Sequence, residues 1–313
     1  MKNMTRLERF NAAVRGEEVD RLPASVWLHL ASEHLTGKKV AELHVEYAKA
    51  YGWDYLKVMN DYRYPLPGLS EVQRESDLQR FSPVGMTEQA FHEQLTCLKE
   101  LRAAVGPDMP LIETLFNPLQ TLVRTTGVNV IQLVFAHPEA GHNALNAITE
   151  TLIEYIRRLQ ALGVNGIFYS INGAVEPAKG GLTDAQFAEF IAPYDQRILQ
   201  AAEGMTRVAH IHGFHLRFDR VVNHPVEVFS WSHLNSAPSL AEARKMTSAA
   251  FMGGINEVHI AHQATSEVAN DIRKSVKEAG ARKLLIGPGC TVPPDTPAKL
   301  LRCVGDVARQ LKF

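Results

Sequence analysis

Eight short apolar runs, each followed by a helical stretch, constrain this chain more than any other feature. They fall at 22–30, 54–59, 110–116, 166–171, 208–212, 226–231, 249–256 and 283–290. Each is apolar enough to be buried on both faces, as strands of a parallel sheet are. Helical spacing fills the gaps, and glycines supply stops: 40–51 closes at Gly52, 88–105 at Gly106, 143–162 at Gly163 and 265–279 at Gly280. Further helices are expected at 5–14, 119–126, 183–203, 239–246 and 296–311. The alternation predicts an α/β fold, a (β/α)8 TIM barrel with an N-terminal helical extension, as one domain over 1–313. A doubly wound open sheet is the alternative, but no Gly-x-Gly-x-x-Gly follows the first run and no phosphate loop occurs. The stretch 62–87 is too long for a simple connection and reads as a cover.

In such barrels chemistry collects at the C-terminal ends of the strands. Those ends carry His29, Asn60, Asp61, Phe116, Asn117, Asn172, His210, His212, Trp231, His233, Asn256 and Cys290. Residues i and i+2 of a strand share a face, so His210 and His212 project together. A co-facing imidazole pair suits metal binding or proton transfer; the alternative is that one ring satisfies a carbonyl while the other packs. Cys290, in a glycine-proline turn facing the same mouth, favours the metal. Two imidazoles and one thiolate match the borderline-soft preference of Zn²⁺, and three protein ligands leave a position for substrate. Glu176 is the candidate fourth ligand. Asp61 is expected as a proton acceptor, and His29, Asn60, Asn117, Asn172, Trp231, His233 and Asn256 as substrate contacts. Cys97 and Cys303 read as packing residues.

Composition narrows the partners. Lys+Arg (33) and Asp+Glu (34) nearly cancel, which argues against nucleic acid or an anionic membrane. Three cysteines without a framework spacing fit a reducing cytoplasm. The first fifteen residues lack the apolar core of a secretory signal, and no run of 18 apolar residues exists. A cytoplasmic enzyme acting on a small molecule is expected, with a homodimer among its assemblies.

Several motifs carry a family likeness: Arg21-Leu22-Pro23, the strand entry at 163–168, Pro193-Tyr194-Asp195, the stretch 238–244 and Gly253-Gly254-Ile255. The most specific is Gly287-Pro288-Gly289-Cys290, followed by Pro293-Pro294-Asp295-Thr296-Pro297. Together they resemble the uroporphyrinogen decarboxylase superfamily over nearly the whole chain. That resemblance implies a single TIM barrel. It also implies one of two activities: porphyrinogen decarboxylation, or zinc-dependent methyl transfer between corrinoid proteins and thiols. The decarboxylases resemble one another in an arginine-bearing stretch after the first strand; residues 27–34 here contain no arginine. The methyltransferases carry His-x-Cys after the fifth strand and Cys after the eighth. His210 and Cys290 match those positions, while His212 puts an imidazole in place of a thiolate. With no Asp-x-His-x-x-Gly module in the chain, a corrinoid would arrive on a separate protein. The expected function is therefore a zinc-dependent methyltransferase-like enzyme activating a thiol at His210, His212 and Cys290. The alternative is a metal-free decarboxylase or lyase using Asp61 and His212 for proton transfer.

Overall fold

The computed structural model describes residues 3–311. In chain order the elements are α1 (Arg6–Arg15), α2 (Gly37–Tyr51), β1 (Leu56–Val58), α3 (Glu75–Leu78), α4 (Gln89–Val105), β2 (Leu111–Phe116), α5 (Pro118–Thr126), α6 (Val130–Ala136), α7 (Pro138–Ala161) and β3 (Gly166–Ile171). They continue with α8 (Asp184–Phe190), α9 (Ala192–Ala201), β4 (Thr206–Ile211), β5 (Val228–Trp231), α10 (Leu240–Met246), β6 (Ala250–Ile255), α11 (Thr265–Ala279), β7 (Leu284–Pro288) and α12 (Ala298–Gln310). The seven strands form one curled parallel sheet in the order β1 to β7. Every residue of β3, β6 and β7 is buried, as helix-covered parallel strands require. No described helix is long and apolar enough to cross a membrane.

Eight strands were expected and seven form. The run 22–30 keeps only one bridge, Ala24 to Ile286. There the Ser25 N–H donates to the Ile286 carbonyl at 3.0 Å, and the Ile286 N–H donates to the Pro23 carbonyl at 2.8 Å. On its other side the Ala24 carbonyl accepts the Asp54 N–H at 2.9 Å, just before β1. Pro23 has no N–H to extend a ladder, and after Ser25 the chain turns off to give its Trp27 carbonyl to Val292. The barrel is therefore not closed by a full eighth strand.

Charge completes what the ladder leaves short. Asp54 is buried at the junction and accepts the Ala24 N–H at 3.0 Å, Arg9 Nη1 at 2.9 Å and both Nη atoms of Arg21 at 2.5 and 2.6 Å. Arg9 also holds Asp20 at 2.6 Å. The N-terminal helix thus anchors the sheet edge through Arg9, after starting on a capping box in which Thr5 and Glu8 bond each other's backbone.

Two other expectations change. The single helix read over 183–203 breaks between α8 and α9 at Ile191, because Pro193 cannot donate back along the helix. The 62–87 stretch forms α3 and is pinned to the helix layer, where Asn143 Nδ2 donates to the carbonyls of Leu78, Gln79 and Phe81.

Replacing Asp54 with alanine leaves Arg21 without a carboxylate and Arg9 with Asp20 alone at this junction. We expect a loss of about 3 kcal/mol, read from urea unfolding midpoints. Arg15→Ala, which breaks an exposed pair with Glu17, should change stability by less than about 1 kcal/mol.

Candidate active site

The register of β3, β4 and β5 sets Ser170, His210 and Ser230 side by side at one level. Two short neighbours leave room for the His210 ring, which stacks on Phe168 at 4.9 Å between centroids. His212 follows one residue past β4, its N–H bonded to the Ile171 carbonyl at 3.0 Å. Gly213 then turns the chain at φ +112°. Cys290 lies two residues past β7, with Sγ 3.8 Å from His212 Nδ1. One donor atom from each of His210, His212 and Cys290 falls within 4.8 Å of the others.

These residues fit a tetrahedral metal. Zinc bond lengths and a tetrahedral angle place sulfur and nitrogen about 3.6 Å apart, close to the separation seen. His210 Nδ1 is buried with no hydrogen-bond partner. Burial alone would push the Cys290 thiol up, but the neighbouring His210 imidazole and Thr291 together outweigh it and bring the pKa to about 7. Burial holds both imidazoles below their usual range, so neutral nitrogens are available to bind.

The cluster opens into a cavity of about 450 Å³. His29 lines it, with Nδ1 2.7 Å from Asp61 Oδ1. Asp61 Oδ2 accepts the Leu30 and Ser32 N–H groups, both at 3.2 Å, and the Ser32 hydroxyl at 3.0 Å. Burial works to raise the Asp61 carboxyl, yet these bonds hold it well below the usual range. Ionised Asp61 accepts a hydrogen bond from His29 Nδ1–H, and in the neutral form of that ring Nε2 is the acceptor.

Opposite stand two residues the sequence reading passed over, Ser232 and Glu257. Glu257 accepts the Ser232 hydroxyl through Oε1 and the Gly289 N–H through Oε2 at 3.1 Å. A Cβ on Gly289 would lie 2.6 Å from both Glu257 Oε2 and Ser232 Cα, so only glycine lets the chain deliver Cys290 here. Both residues directly follow strand-end residues that were singled out, Trp231 and Asn256. Lys57 was also missed; its ammonium lies buried 4.7 Å from the Phe168 ring, and burial pushes it down to about 7.

The remaining candidates are drawn into the protein instead. Asn117 caps α5, accepting the Gln120 N–H at 3.0 Å while its amide donates to the Asn172 carbonyl at 2.9 Å. The Asn172 side chain accepts the Ser170 hydroxyl at 3.1 Å. Trp231 is buried and donates to the Pro238 carbonyl at 2.8 Å. His233 Nε2 accepts the Gly254 N–H at 3.0 Å, and burial lowers its pKa to about 4. Asn256 accepts from Asn235 at 3.1 Å. Asn60 turns outward to Glu113 at 3.0 Å, into the helix layer. None of these six lines the His210 cavity. Glu176 is outside the cluster too and is tied by its N–H to the His215 carbonyl at 2.9 Å. Each of these residues bonds a nearby backbone or side-chain group, although Asn60 Oδ1 and His233 Nδ1 stay buried without a partner.

The chain is thus a curled parallel α/β sheet of barrel type with two imidazoles and a thiol gathered at the C-terminal edge of its strands. The family model described as Uroporphyrinogen decarboxylase (URO-D) matches residues 63–311, and the chain belongs to that family. His210, His212 and Cys290 lie inside the matched stretch; His29 and Asp61 precede it. The fold is similar to that of a methyltransferase from Methanosarcina mazei, at 15% identity over 98% of each chain with a TM-score of 0.77. It is also similar to a B12-independent methionine synthase from Shewanella sp. W3-18-1 in complex with selenomethionine. That likeness has 16% identity over 87% of this chain and 86% of the other, with a TM-score of 0.59. No curated protein matches the chain.

In chelator-treated protein, alkylation of Cys290 by iodoacetamide should reach half its maximal rate near pH 7, where thiol and thiolate are equal. Burial raises the Cys97 and Cys303 thiols, so both should lag in peptide mass spectra. His210→Ala removes part of what opposes burial and should move the Cys290 midpoint upward.

Proposed function

We propose that this chain is a zinc-dependent transferase that activates a small thiol for methylation at His210, His212 and Cys290. The observation that carries the reading is the convergence of three soft-metal donors within 4.8 Å at a cavity wall, one of them a thiol near pKa 7. Zn²⁺ held there would supply Lewis acidity that lowers the pKa of a thiol in the remaining coordination position. His29, oriented through Nδ1 by Asp61, takes the thiol proton at Nε2. Ser232 and Glu257 hold the Gly289 backbone and so keep Cys290 in place. Phe214, Val258, Pro293 and Pro294 give the cavity an apolar rim that limits water. In this reading the methyl donor is a corrinoid carried on a separate protein; the names of the two structural neighbours agree with methyl transfer, and one of them is B12-independent.

The second reading, a metal-free decarboxylase or lyase, is favoured by the family model. It would use Asp61 and His212 for proton transfer. Against it, no lysine or arginine is among the residues lining the cavity, so a polycarboxylate would meet no neutralising charge.

Protein purified without chelators or a nickel column should contain about one zinc per chain by elemental analysis, lost in His210→Ala and Cys290→Ala. Absence of stoichiometric metal from the wild type would overturn the first reading, and turnover of uroporphyrinogen would favour the second. His29→Gln should retain zinc yet slow thiol methylation by about a hundredfold, in line with the loss of a general base.

A further inference from the structure

A second cavity, of about 50 Å³, lies where the 60–64 stretch meets β2, α4, α5 and α7. It shares no lining residue with the His210 cavity. Most of its wall is aromatic or aliphatic, including Tyr62, Tyr64, Phe91 and Phe116, yet Arg63 and Arg124 also line it. The Arg124 guanidinium centre lies 3.9 Å over the Phe116 ring, and its one hydrogen bond goes to the Asn60 carbonyl at 3.3 Å. Arg63 donates to the Arg124 carbonyl. Among the described residues no carboxylate lies within 4.0 Å of either guanidinium. Asp61, two residues from Arg63, is committed to His29 and Ser32.

This arrangement is incomplete as physics. A guanidinium has five N–H donors, and Arg124 uses one of them while partly withdrawn from water. Burial, and then the like charge of Arg63, push Arg124 down to about 10; Asp61 and Glu33 oppose this only from a distance. Two cations facing one apolar-walled cavity with no anion between them are costly unless a ligand supplies the charge. Planar guanidinium donors match the paired oxygens of a carboxylate or phosphate. The space is several times the roughly 10–15 Å³ that one water needs, enough for a head group and too small for a ligand's body.

We propose that Arg124 and Arg63 form an oxyanion-binding site in this cavity, taking the carboxylate or phosphate head of a ligand whose remainder extends outward past exposed Arg63. The site stands apart from any metal chemistry at Cys290, so it survives or fails independently of the proposed function.

The test is calorimetric titration of the full chain with inorganic phosphate and, separately, acetate, against sodium chloride at matched ionic strength. At least one oxyanion should bind at one per chain and raise the thermal midpoint. Phosphate binding alone points to a phosphorylated ligand, acetate alone to a carboxylate, and both together to the chemistry they share. Arg124→Met should weaken binding about ten- to hundredfold, the range for a charged hydrogen-bonded partner. Its ligand-free thermal midpoint should equal or exceed the wild type's, because an unpaired cation is removed. Arg63→Ala, at the exposed end, should weaken binding less and serves if Arg124→Met fails to fold. Binding no stronger than chloride, or wild-type affinity in the variants, overturns the proposal.

Discussion

One carboxylate holds the two edges of this sheet together. Asp54 ties Arg9, Arg21 and the Ala24 N–H at the point where Ala24 bridges to Ile286. From that bridge two chains run to the same cavity: five residues beyond Ala24 stands His29, and four residues beyond Ile286 stands Cys290. If the edges parted, the proton-accepting side of the site and its thiol would separate together. The ion network is far from the chemistry, yet it sets the distance between the two halves. Its buried charges are tolerable because each oxygen of Asp54 meets more than one donor.

Within the site, burial and hydrogen bonding contest every ionisable group. Bonding wins at Asp61 and Cys290, where several donors or an adjacent imidazole stabilise the charged form. Burial wins at Lys57, and in the helix layer outside the site it wins at Glu113 too, which is pushed up to about 7 although Gln94, Tyr155 and Asn60 all donate to it. The result is a charged carboxylate behind His29, a readily ionised thiol beside neutral imidazoles, and one buried lysine against the Phe168 ring. Such separation of pKa values within one small volume is what proton transfer and thiolate chemistry require.

The strand ends were a good guide where the chain had nothing better to bond and a poor one elsewhere. His210, His212 and Cys290 gather at one end of the sheet with their donor atoms turned to one another, and Asp61 reaches His29 while also accepting the Leu30 and Ser32 N–H groups. Asn117, Asn172, His233 and Asn256 occupy equivalent positions along the sequence, but each reaches a local N–H, carbonyl or amide within hydrogen-bonding distance. Short polar side chains at element boundaries compete for such bonds, and sequence position does not show which competitor wins. Glu257 shows the reverse: one residue beyond an expected strand end, it turns back to hold Gly289 from another strand.

Periodicity by itself determined the α/β class, seven of the strands and the shared face of His210 and His212, because burial on both faces and the two-residue repeat of a strand are local properties. The tertiary structure decided the rest. Whether 22–30 became a strand depended on Pro23, Asp54 and the geometry of both sheet edges at once. The pKa of Cys290, the orientation of His29 and the setting of Arg124 depend on His210, Asp61 and Asn60, which lie 80, 32 and 64 residues away along the chain. Those are pairings between segments, and only closure of the sheet brings them within reach.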